Sequence, residues 1–81
     1  MHELHLAQNL LKIALSEAEK NKASKIKKLT IVLDKKEHLG EENLSFILEN
    51  LMKNTKGQGA EIEIKKGEGK SYLESIEIEE S

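Results

Sequence analysis

The apolar residues of this chain change their period along the sequence, and that change restricts it to a small layered arrangement of helices on a sheet. From Leu4 to about Asn21, Leu4, Ala7, Leu11, Ala14 and Ala18 recur every three or four positions with Leu10 and Leu15 beside them, the stripe of an amphipathic helix. Between Lys25 and Leu33 the pattern changes. Ile26, Leu29, Ile31, Val32 and Leu33 add β-branched density, and Leu29, Ile31 and Leu33 keep a period of two, which predicts a first strand. Asp34 to Gly40 is a polar break. Glu41 and Glu42 then stand in the first turn of a second helix, where carboxylates favour the positive end of its dipole. Leu44, Ile47, Leu48 and Leu51 form the buried stripe of that helix, and Lys53, Lys56 and Gly57 predict its end. Ala60, Ile62 and Ile64 alternate with Glu61, Glu63 and Lys65, and Ile76 and Ile78 with Glu77 and Glu79, as in two half-exposed strands. Gly67, Glu68, Gly69 and Lys70 make a turn between them.

The order helix, strand, helix, strand, strand predicts an α+β domain with two helices packed on one face of a small three-stranded mixed sheet. The first two strands, joined through a helix, can run parallel; the last two read as an antiparallel hairpin. No repeat, linker or low-complexity segment divides the 81 residues, so a single domain over 1–81 is expected. A chain of this length buries only about 60 to 65% of its unfolded surface, so the core must be small.

Composition removes several function classes. No cysteine is present, which excludes disulfides, thiolate zinc sites and a cysteine nucleophile. The net charge of −2 is near balance and every cation is a lysine, with no arginine to fork around phosphate. Lysines cluster from Lys20 to Lys36 and Glu74, Glu77, Glu79 and Glu80 make the other end acidic; such runs are ordinarily solvated surface. One Phe, one Tyr and no Trp leave no platform for stacking bases, so nucleic-acid binding is not expected. No signal-peptide pattern or long apolar run points to a membrane or out of the cytoplasm. No phosphate loop, paired nucleophile and base, or catalytic carboxylate constellation is found, and the serines have no signature around them, so no enzyme is expected.

The residues that suggest chemistry stand first. A free terminus followed by histidine offers up to four nitrogens to one metal ion: the α-amine of Met1, the deprotonated backbone nitrogens of His2 and Glu3, and the imidazole of His2. Four nitrogens in a plane suit Ni(II) or Cu(II). A site at a helix start is compatible with the fold, because the first four N–H groups of a helix have no intrahelical partner. Two amidate charges would also offset the repulsion between a dication and the helix dipole. Taken alone, a histidine beside a terminus is ordinarily incidental. His5, three residues after His2, and His38, in the polar connection, are further candidates that otherwise read as surface residues.

The MHE opening, the helix it begins, the strand KIKKLTIVL, the helix containing ENLSFILENL, the segment GAEIEI and the closing YLESIEIE together resemble the HypA/HybF family of hydrogenase nickel-incorporation proteins. The resemblance covers almost the whole chain and implies a nickel-binding metallochaperone or accessory protein for [NiFe] hydrogenase maturation. It implies a HypB-type GTPase and the hydrogenase large subunit as partners, and Met1, His2 and Glu3 as the metal site for Ni(II). Two departures accompany it. Members of the family carry a zinc-binding insertion with two CxxC pairs between the last two strands, and this chain has only KKGEGKS there, a short turn around 65–71, so no zinc is expected. Near Gly40, where members often have a carboxylate proposed to assist the metal, Glu41 and Glu42 are the nearest substitutes. A second function class stays open, a zinc-less adaptor or regulatory domain that docks on maturation partners without carrying metal. Exposed sheet edges and a small core also leave self-association into a homo-oligomer open.

Overall fold

The computed structural model describes the backbone of residues 2–80 and the side chains of residues 4–80. Along the chain lie α1 (His2–Lys20), β1 (Ala23–Asp34), α2 (Glu41–Leu51), β2 (Glu61–Gly67) and β3 (Tyr72–Glu80). The sheet order is β2-β1-β3, with β1 parallel to β2 and antiparallel to β3. The architecture is the expected one: two helices on one face of a three-stranded mixed sheet. No helix among the described residues is long and apolar enough to cross a membrane.

One element of the expected topology is overturned. The last two strands are not a hairpin, because β1 lies between them and pairs with both. The physical reason lies in β1, which is buried on both faces: Leu29, Ile31 and Leu33 on the helix side, Thr30 and Val32 on the other. Such a strand belongs in the middle of a sheet. The strands β2 and β3 alternate isoleucine with glutamate and tolerate an edge. Residues 68–71 therefore cross the end of β1 and are tied to it: the Asp34 N–H donates to Ser71 Oγ (2.9 Å) and the Lys35 N–H to the Gly67 carbonyl (2.9 Å).

The strand β1 is also longer than its period of two suggests. Its buried residues Ala23, Ile26 and Leu29 are spaced by three, a spacing a flat strand cannot keep on one face. Register shifts against β3 between Ala23 and Lys25 and between Ile26 and Lys28 insert the extra residues and turn each apolar side chain back to the helices. A third shift, between Thr30 and Ile31, does the same on β3, where Leu73 and Ile76 both pack on the core although they are spaced by three.

The core joins Ala7, Leu10, Leu11, Ala14 and Ala18 of α1 and Leu44 and Leu48 of α2 to Ile26, Leu29, Ile31 and Leu33 of β1. Three of the α1 residues are fully buried alanines, which let the helix backbone approach its neighbours closely. The helix α2 ends earlier than the lysines and Gly57 suggest. Met52 caps it, Asn54 turns left-handed at φ 66°, and a run of turns reaches Ala60. Within that run the Thr55 hydroxyl donates to the Met52 carbonyl (2.7 Å) and accepts from the Gly57 N–H (3.0 Å).

Candidate metal centre

The backbone of α1 begins at His2, so the peptide nitrogens of His2 and Glu3 belong to the first turn of a 19-residue helix. The N–H groups of that turn have no carbonyl four residues earlier to receive them. The side chains of Met1, His2 and Glu3, the principal ligands expected from the sequence, lie outside the described residues.

The remaining candidates are all exposed. His5 is on the solvent side of α1, His38 lies between β1 and α2, and Glu41 and Glu42 occupy the first turn of α2. Gly40, the N-cap of α2, offers no side-chain cap. The topology brings these residues to one end of the sheet. A two-residue turn joins α1 to β1 and a six-residue connection joins β1 to α2, so both helices start where β1 ends. They do not converge into a cluster, since no group of three or more His, Asp or Glu able to hold a metal occurs among the described residues.

The perturbed ionisable groups lie elsewhere and have structural causes. On the open face of the sheet Lys28, only 25% exposed, reaches Glu63 at 2.9 Å and Glu61 at 3.9 Å. Hydrogen bonding and charge attraction from Glu63 raise the lysine, and the same contact lowers Glu63 from the ordinary carboxylate value. Lys65 is raised in the same way by Glu74, and Glu19 of α1 is lowered by Lys56, 2.7 Å away. These pairs tie strands and helix together and are remote from the start of α1.

One surface feature escaped the sequence reasoning. Phe46 stands off the Leu44–Leu48 stripe and is 67% exposed, beside Ile62 and Ile64 of β2 in a shallow groove rimmed by Glu41, Glu42 and Glu49. The signal was its position in the helical period: two residues from Leu44 and two from Leu48, it cannot share their face.

The solution structure of the Ni metallochaperone HypA from Helicobacter pylori superposes with a TM-score of 0.83 over 98% of each chain at 12% identity, a likeness of fold. The hydrogenase maturation factor HypA of Caldanaerobacter subterraneus subsp. tengcongensis is 37% identical over 65 residues, 80% of this chain and 57% of its own. Its counterpart in Pyrococcus furiosus is 37% identical over 62 residues, 76% of this chain and 45% of its own. The chain thus spans about half the length of these relatives. The family described as hydrogenase/urease nickel incorporation, metallochaperone, hypA matches residues 1–74, from the first helix into the last strand, and the chain belongs to that family.

Proposed function

We propose that this chain is a nickel carrier or accessory protein for the maturation of a nickel enzyme such as a [NiFe] hydrogenase. Ni(II) is its cargo, held at the start of α1. The observation that carries this reading is the position of His2 as the first residue of α1, which leaves the amides of His2 and Glu3 without helical acceptors. Loading replaces the α-ammonium proton of Met1 and the two amide protons with one metal ion, and the neutral His2 imidazole closes the plane. The two amidates cancel the dication's charge beside the positive helix end. Glu3 contributes chiefly through its backbone nitrogen, and its carboxylate orients the chelate or approaches along the axis. Glu41 and Glu42, at the same end of the sheet, are the carboxylates best placed to assist, with His5 and His38 as secondary donors.

Family membership, with relatives that are themselves hydrogenase maturation factors, supports a place within the hydrogenase maturation machinery. A nickel-handling GTPase of the HypB type and the hydrogenase large subunit are the partners we assign, in the cytoplasm, with no enzymatic activity and no nucleic acid or membrane partner. The absence of cysteine argues that the chain works without a thiolate zinc module.

An absorption titration of untagged protein with Ni(II) tests the assignment. One equivalent bound with the yellow band of a low-spin square-planar complex, lost in His2→Ala, is the expected result. An octahedral, colour-poor spectrum, or binding indifferent to His2, sinks it and leaves the metal-free adaptor.

A further inference from the structure

The two edges of the sheet are unlike. The β3 edge is blunted in two ways: a bulge at Glu74 interrupts its regular course, and Glu74, Glu77, Glu79 and Glu80 are its only charged residues. Any two-fold pairing of that strand with itself would set glutamate among glutamates, and irregular, like-charged edges resist added strands. The β2 edge has neither defence. It pairs with β1 over seven residues without a register shift, so its outer ladder is regular.

Its sequence, EIEIKKG, is acidic in the first half and basic in the second. Such a strand is complementary to itself when reversed.

We propose that β2 is the contact surface for a second copy of this chain, two β2 strands pairing antiparallel about a two-fold axis through Ile64. Ile64 is the midpoint of Glu61–Gly67, so this register pairs the whole strand with its copy. No like charges face each other, and Glu61 lies opposite the partner's Gly67. Ile64 lies opposite the partner's Ile64, and on the open face Glu63 lies opposite the partner's Lys65. Ile62 lies opposite the partner's Lys66, whose side of the strand is the helix side, by the alternation that places Ile62 and Ile64 against the core. Glu49 of α2 lines the same groove as Ile62, so the partner's Lys66 arrives near a carboxylate that has no ion pair among the described residues. Phe46 from each copy closes over the Ile64 pair and gives a reason for its 67% exposure. The joined sheet has six strands, and its remaining edges are the two blunted β3 strands, so the assembly closes at a dimer.

The inference is independent of nickel, and its test uses the intact chain without metal. Sedimentation equilibrium across a concentration series should show a monomer–dimer equilibrium. Either Lys66→Glu or Glu49→Lys alone should weaken the dimer roughly tenfold, each changing a contact made twice per dimer. Combining the two should restore it. Both residues are exposed, and an unchanged circular dichroism spectrum verifies that the variants fold. In this cysteine-free chain, Ile64→Cys should form an intermolecular disulfide under mild oxidation, whereas Ser75→Cys on the β3 edge should not. A monomer at every concentration into the millimolar range, open-ended growth beyond a dimer, or a double variant no better than the singles overturns the proposal.

Discussion

Lys65 Nζ lies 2.9 Å from Glu74 Oε1, an ion pair that joins the two edge strands over the central one. Lys65 is in register with Val32, and Glu74 is the extra residue that the register shift near Ile31 inserts into β3. The bulge turns the carboxylate toward the lysine, and the pair roofs Thr30 and Val32, both 7% exposed on the face without helices. A mixed sheet with one helix-covered face thereby shields its middle strand on the other with salt bridges in place of a third helix.

Stability should respond to pH in two separate windows. Lys28 and Lys65 are raised above the ordinary lysine value of 10.5 by their hydrogen-bonded glutamates. Their contribution is complete below that value and is lost as pH climbs through the raised one. Glu63 and Glu19 are lowered from 4.5, so their contribution is complete above that value and is lost as pH falls through the lowered one. Melting temperature measured against pH should decline on both flanks, and Glu74→Gln should remove part of the alkaline decline. Because Lys65 and Glu74 are 51% and 39% exposed, concentrated salt should shrink the difference between wild type and variant. A difference that survives molar salt would point to packing instead of charge.

Gly67 permits a close approach. A Cβ there would collide with Val32 Cγ1, and both positions are on the sheet's open face. Gly67→Ala should destabilise the fold by about 1–3 kcal/mol through overpacking. Adding Val32→Ala should cost less in that background than in wild type, a coupling that denaturant melts of the four proteins would measure.

The helix α2 separates core from surface within three residues. Leu48→Ala, at a fully buried site, should cost about 2–5 kcal/mol. Phe46→Ala, at an exposed one, should change the stability of the monomer by no more than about 0.5 kcal/mol. Urea denaturation at low protein concentration compares them, and equal losses would contradict the assignment of faces.

Asn54 holds φ 66° where α2 gives way to turns, a conformation asparagine tolerates better than other residues with a Cβ. Asn54→Ala should lower stability by about 1 kcal/mol and Asn54→Gly should not, as thermal melts would reveal.

If the proposed site holds nickel, affinity should fall as the solution is acidified, because the α-amine and the imidazole, which ordinarily titrate near about 8 and about 6.5, must both be unprotonated to bind. Isothermal titration from neutral to mildly acidic pH would follow this loss. Glu3→Gln, which keeps the backbone nitrogen, should cost less affinity than His2→Ala. The reverse order would place the carboxylate, not the amidate, on the metal.

The identity and order of the elements were legible in the residues, because a helix stripe and a strand alternation are properties of spacing alone. Leu4 to Ala18 and Leu44 to Leu51 could be nothing but amphipathic helices, and EIEI nothing but a half-exposed strand. Strand neighbours are not encoded in spacing. Four connecting residues between Gly67 and Tyr72 read as a hairpin, yet they bridge β1, because only a central place buries Ile31 and Val32 at once. The end of α2 likewise depended on Asn54 and on the Thr55 hydroxyl that links the Met52 carbonyl to the Gly57 N–H, and not on the lysines.

For the candidate site, MHE offered candidate ligands by residue type, while the fold contributed the start of α1 at His2 and the placing of His38, Glu41 and Glu42 at the same end of the sheet. The sequence by itself determined which faces are apolar and which atoms could hold a metal, since both are written in local spacing and side-chain chemistry. Tertiary structure alone decided which strand lies in the middle, which edge stays regular and where Phe46 points, because those depend on burying both faces of β1 at once, a demand no short window of residues can express.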